Sequence, residues 1–127
     1  MASLFVITGE QVDYYPLGQR TMVLGRDEAA SIQVVDKRMS RKHLQIRYDR
    51  QGDYYVALDM KSKNGTFING QRVKDEWILG DGDQITLGNT QVLFSVKEFT
   101  NHDNAMSHFK QVGQRRFTTF VEDSSKP

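Results

Sequence analysis

The chain of 127 residues contains no cysteine. Disulfide frameworks, thiolate zinc sites and cysteine nucleophiles are therefore excluded, and a reducing compartment fits the composition. Proline is scarce at two residues. No segment approaches the ~20 consecutive apolar residues of a membrane-spanning helix. The first apolar run, Leu4-Phe5-Val6-Ile7, has no basic leader and is too short for a signal peptide. A cytoplasmic location is expected. Neither sign of charge dominates, with 17 Lys and Arg against 16 Asp and Glu and a net charge of +1. No global field draws such a chain to nucleic acid or to a membrane, and neither is expected as a partner. There is no internal repeat, and no helical period of useful length before residue 100.

What is present is a series of short, strand-like apolar runs. They cover residues 4–7, 21–24, 32–34, 43–48, 54–58, 66–68, 71–73, 84–88 and 91–96, with a shorter one at Ile78-Leu79. Residues 43–48 alternate, with Leu44, Ile46 and Tyr48 on one face, and 54–58 return after a turn, which reads as a hairpin. Asn69-Gly70 is a strong tight-turn dipeptide between two more runs. Ten glycines punctuate the pattern. The length suits one domain with a sizeable core. The expected fold is all-β, a two-sheet sandwich of short, mostly antiparallel strands. Beyond residue 100 the chain turns polar, and Met106, Phe109 and Val112 recur at a helical interval. The organisation expected is a domain over residues 1–99 and a polar tail over 100–127, with one short helix at 105–112 and a flexible end.

Three polar clusters interrupt the strand-like runs: Gly25-Arg26, Ser40-Arg41-Lys42-His43 and Ser62-Lys63-Asn64-Gly65-Thr66. Together they supply guanidinium, hydroxyl, ammonium and carboxamide groups, which are donors suited to a phosphate and the peptide around it. No general base stands with a nucleophile. Paired carboxylates, a Walker loop and a regular metal-ligand spacing are also missing, since His102, Asp103 and His108 fall irregularly. Gly80-Asp81-Gly82-Asp83 lacks the carboxylate spacing of a calcium loop and reads as a turn. The chemistry is that of a reader of phosphate, not of an enzyme, and no cofactor or metal is expected. Basic charge does concentrate over residues 37–47, but without a stacking motif or a recognition helix for nucleic acid.

Gly25-Arg26, Ser40-x-x-His43, Asn64-Gly65-Thr66, Asn69-Gly70 and the stretch from Leu79 to Gly88 occur in the order and at the spacings of one known family. Over roughly residues 4–98 the chain resembles a forkhead-associated (FHA) domain. The resemblance implies a β-sandwich whose end loops bind phosphothreonine peptides, with a Ser/Thr kinase or its substrate as partner. It assigns the phosphate to Arg26, Ser40 and Arg41, and the ligand main chain to Asn64. His43, Gly25, Gly65 and Thr66 are expected to build the loops rather than touch ligand. Arg38 takes the position that reaches the third residue after the phosphothreonine, where its charge suits Asp or Glu. Lys63 stands where several relatives carry a small hydroxyl residue, and it adds either a phosphate contact or rim charge. Thr119 has Glu122 three residues on, so a phosphorylated Thr119 is a candidate ligand for the domain itself, within one molecule or between two. The competing reading is a scaffold that uses the same fold to bind proteins without phosphate.

Overall fold

The computed structural model describes residues 2–99 and 102–110. Among these, eleven strands precede one helix. The strands are β1 (Ser3–Thr8), β2 (Gln11–Pro16), β3 (Met22–Gly25), β4 (Ile32–Gln33), β5 (Leu44–Asp49), β6 (Tyr54–Asp59), β7 (Thr66–Ile68), β8 (Gln71–Arg72), β9 (Glu76–Ile78), β10 (Gln84–Leu87) and β11 (Thr90–Ser95), and the helix is α1 (His102–His108). One sheet has the order β2-β1-β11-β10-β7-β8 and the other β4-β3-β5-β6-β9. Strands β3 and β4 pair in parallel, whereas the remaining pairs are antiparallel. The result is the expected two-sheet sandwich.

Alternation explains the core. Leu4 and Val6, Leu24, Leu44 and Ile46, Ala57, Ile68, Ile85 and Leu87, and Val92 and Phe94 all point between the sheets and are buried. Each large apolar side chain so buried contributes roughly 1.5–3 kcal/mol. The two hairpins read from the chain are present: Ile46 pairs with Ala57 across β5 and β6, and Ile68 with Gln71 across β7 and β8. Asn69 and Gly70 both have positive φ, at 51° and 83°, as a two-residue hairpin turn requires.

Two elements depart from the sequence expectation. Strand β2 was not anticipated. It pairs with β1 through a two-residue turn at Gly9-Glu10, with Thr8 opposite Gln11. Its central residues are all half-buried, because Tyr15 packs on the main core while Val12 and Tyr14 serve a second cluster on the outer face. Alternation is blurred when both faces are partly covered. The helix also begins three residues earlier than expected, and its buried Ala105 lies four positions before the buried Phe109, which stands just past its end. They join Phe5 and Leu93 in that second cluster, with Phe99 and Met106 at its margin. The Phe5 ring lies 5.5 Å from that of Phe109 and 5.4 Å from that of Tyr14. Among the described residues beyond 99, Ala105, Met106 and Phe109 thus pack against the sheet. Val112 and the expected flexible end lie outside the described residues. No helix among the described residues is long and apolar enough to cross a membrane.

Candidate functional site

Four connections meet at one end of the sandwich: β3–β4, β4–β5, β6–β7 and β10–β11. The pairings of Leu24 with Leu44, Leu44 with Asp59, and Thr66 with Leu87 bring these strand ends together. All three polar clusters stand on these connections.

Arg26 begins the first connection directly after β3. Its N–H donates to the Ser40 carbonyl at 3.0 Å, and the N–H of Asp27 donates to the Arg41 carbonyl at 3.1 Å. This close approach explains Gly25. A Cβ there would stand 2.7 Å from the Arg41 carbonyl carbon and 3.0 Å from the Lys42 Cα, and nearer still to the Arg41 carbonyl oxygen. The Arg26 side chain is exposed, and its Nε donates to the Met39 carbonyl at 3.1 Å. One edge of the guanidinium is thereby fixed, while its terminal nitrogens make no hydrogen bond among the described residues. Arg26 forms no ion pair among the described residues, so the neighbouring Asp27 and Glu28 do not neutralise it.

Ser40 accepts the Lys63 N–H on its Oγ at 2.9 Å, which leaves its own O–H to donate. Asn64 donates from Nδ2 to the Arg38 carbonyl at 2.8 Å, so part of its amide ties the β4–β5 and β6–β7 loops together while Oδ1 remains an acceptor. The side chains of Arg38, Arg41 and Lys63 are exposed at the same end.

Beneath these groups lies a chain of hydrogen bonds. Fully buried His43 accepts the Ser40 N–H on Nδ1 at 3.0 Å and meets the Gly65 carbonyl through Nε2 at 2.9 Å. A backbone N–H only donates and a carbonyl only accepts, so these partners place the ring proton on Nε2. The Gly65 N–H continues to Ser62 Oγ at 3.0 Å, and that hydroxyl donates to Asp59 Oδ1 at 2.6 Å. Thr66, also fully buried, donates to the same Asp59 oxygen at 2.7 Å. Burial alone would push the Asp59 carboxyl up. Donation by the hydroxyls of Ser62 and Thr66 and the N–H of Ser62, with His43 nearby, outweighs this and holds it below its ordinary 3.8.

A second carboxylate, the buried Asp36, supports the Arg38 loop. Asp36 accepts the Arg38 N–H on Oδ1 at 2.9 Å, and the Asn89 N–H and Thr90 hydroxyl on Oδ2, each at 2.8 Å. Burial raises this carboxyl, but the Thr90 hydroxyl, the two N–H groups and the Arg38 charge together leave it below 3.8. Sequence reasoning missed Asp36, Asp59, Met39 and the role of Ser62. Both carboxylates carried a local signal: Asp36 takes the N–H of Arg38 two residues on, an Asx turn, and Asp59 Oδ2 takes the N–H of Ser62 three residues on at 3.0 Å.

The structure thus assembles Arg26, Ser40, Arg41, Arg38, Lys63 and Asn64 at one end and puts His43, Gly65 and Thr66 below them. Thr119 lies outside the described residues. The assembled surface offers donors to an anion, a carboxamide to a peptide backbone, and no nucleophile held by a base.

Comparison with known proteins follows the same lines. A family model, FHA domain, matches residues 22–88. The chain is 38% identical over 79 residues to the FHA domain-containing protein FhaA of Mycobacterium tuberculosis, a match covering 62% of this chain and 14% of that protein. A structure solved in an analysis of phosphothreonine-dependent FHA domain interactions is similar with a TM-score of 0.68 and 33% identity, covering 77% of this chain and 98% of the other. Mycobacterium tuberculosis EmbR, in complex with a low-affinity phosphopeptide, is similar with a TM-score of 0.68 and 25% identity, over 79% of this chain and 26% of that one. The chain therefore spans only a small part of the length of FhaA and of EmbR.

Proposed function

The chain belongs to the FHA domain family, and on that premise we propose that it binds phosphothreonine-containing segments of partner proteins in Ser/Thr-kinase signalling, the partner being such a kinase or one of its substrates. One observation carries this reading. Arg26, Ser40 and Arg41 are gathered at one end with donors turned outward, on a support of buried and satisfied hydrogen bonds. A threonine phosphate brings about −1.5 to −2 of charge and three acceptor oxygens. The terminal nitrogens of Arg26 suit two of those oxygens, and the Ser40 hydroxyl and Arg41 suit the third.

Asn64 Oδ1 accepts a ligand main-chain N–H. Arg38 favours Asp or Glu three residues after the phosphothreonine, and Lys63 adds positive rim charge. The same donor set without a base argues for a binding module rather than an enzyme, and a cytoplasmic location fits the cysteine-free sequence. The tail supplies one candidate ligand in phosphorylated Thr119. The check is to compare phosphopeptide affinity of the phosphorylated chain with that of Thr119→Ala, since cutting at residue 99 would remove α1 as well. Equal affinities and an unchanged oligomeric state would remove that idea.

The main test is an oriented phosphothreonine-peptide library probed with wild type and Arg26→Ala. Loss of a charge-assisted contact worth ~1.5–3 kcal/mol weakens binding about tenfold to a hundredfold. A wild type that selects no phosphopeptide, or a partner held equally well by Arg26→Ala, would favour the phosphate-independent scaffold instead.

A further inference from the structure

Charge is distributed unevenly across the end loops. On one side the Lys63 N–H bonds Ser40 and Asn64 bonds the Arg38 carbonyl, which gathers the backbones of two residues whose cationic side chains are exposed. On the other side Arg26 and Arg41 line an open depression together with Asp27, Glu28 and Gln33. The β3–β4 loop is held there by its own bonds. Asp27 Oδ1 accepts the Ala29 N–H at 3.1 Å, and Gln33 Nε2 donates to the Arg26 carbonyl at 3.3 Å. Two carboxylates and two guanidiniums share one depression, yet none of the four forms an ion pair among the described residues. Glu28 is exposed and makes no hydrogen bond among the described residues.

Uncompensated carboxylates beside a dianion site repel the very ligand that Arg26 attracts. Their effect is selective: they disfavour ligands that bring only negative charge and favour those that bring a cation to that side. We infer that Asp27 and Glu28 are specificity residues for a Lys or Arg on the amino-terminal side of the phosphothreonine. That side follows from the role proposed above for Arg38 toward the residues after the phosphothreonine. The preferred ligand is then dipolar, basic before the phosphate and acidic after it. This inference rests on the phosphothreonine reading above.

The test uses matched phosphothreonine peptides with Arg, Ala or Glu at each of the three positions before the phosphothreonine and Ala elsewhere. Affinities are measured by fluorescence anisotropy on the full chain, on the charge-removing pair Asp27→Asn with Glu28→Gln, and on Glu28→Lys. Asn at 27 keeps an oxygen for the Ala29 N–H, so the loop bond survives. At one of these positions the Arg peptide should bind wild type about three- to fivefold more tightly than the Ala peptide, the scale of an exposed ion pair, with the gap shrinking in high salt. The neutral pair should lose the discrimination, and Glu28→Lys should turn it towards Glu. Tight but equal binding of the whole set by wild type would overturn the inference and leave the phosphothreonine reading standing. Failure to bind any phosphopeptide would overturn both.

Discussion

Replacing Gly25 with alanine puts a methyl group where the next loop already passes. The new Cβ would lie 2.7 Å from the carbonyl carbon of Arg41 and 3.0 Å from the Cα of Lys42. These are backbone atoms, so no rotamer change relieves the contact. Strand β3 and segment 40–42 must move apart. The bonds first at risk are Arg26 N–H to the Ser40 carbonyl at 3.0 Å and Asp27 N–H to the Arg41 carbonyl at 3.1 Å. Overpacking costs about 1–3 kcal/mol and each lost bond about 1 kcal/mol. A total loss of about 2–5 kcal/mol lowers the melting temperature of a domain this size by on the order of 10–25 °C. Binding falls too, because the same bonds set Arg26 against Ser40.

Gly70→Ala is the control. Its φ is 83° and no atom lies within 4 Å of a built Cβ, so the penalty is conformational alone, about 1–2 kcal/mol. It sits at the far end of β7 from the site, so phosphopeptide affinity should not change. Thermal unfolding by circular dichroism and calorimetric titration with a phosphothreonine peptide read both quantities. If Gly25→Ala melted and bound like wild type, the claim that loop contact dictates this glycine would be refuted.

His43→Ala leaves the half-buried Ser40 N–H and the buried Gly65 carbonyl without partners, for a destabilisation of about 2–5 kcal/mol; urea unfolding should show it as a lower midpoint, and an unchanged midpoint would count against the bonded support. Asp36 and Asp59 both have folded pKa values depressed below 3.8, so the stability they provide is present above about pH 4 and is lost as the pH falls through their lower folded values. Urea titrations at pH 6 and pH 3 should therefore show a steeper acid loss in wild type than in Asp59→Asn, and equal losses would refute the assignment. Ending the chain at Phe99 uncovers Phe5 and Leu93 and removes Phe109, so melting should fall and binding of a hydrophobic dye should rise, while an unaltered melt would show that α1 is dispensable.

What was legible in the sequence, and what was not, divides along a physical line. Strands whose one face is buried and other exposed, such as β5 with Leu44 and Ile46 inward, announce themselves by alternation. Turns that need positive φ do so through residues such as Asn69 and Gly70. The gathering of exposed polar groups such as Arg26, Arg41 and Asn64 at one end was legible as well, because they stand on polar breaks between the apolar runs. Strand β2 and the start of α1 were not, since both serve a second cluster built around Phe5 and Phe109, more than a hundred residues apart.

The supports of the site were the least legible. Asp36 and Thr90 are 54 positions apart and meet only when the β4–β5 loop lies over the β10–β11 turn. A buried carboxylate is tolerable only when donors converge on it, and here they come from different connections. Apart from the Arg38 N–H two residues on, its partners therefore have no spacing of their own to detect. The same reasoning separates the substitutions this end can accept. Arg38, Lys63 and Glu28 face solvent and can vary with the ligand, whereas His43, Asp59 and Asp36 each answer to polar atoms on several loops. A change in any of these three must be met by changes elsewhere before Arg26 and Ser40 stand side by side again.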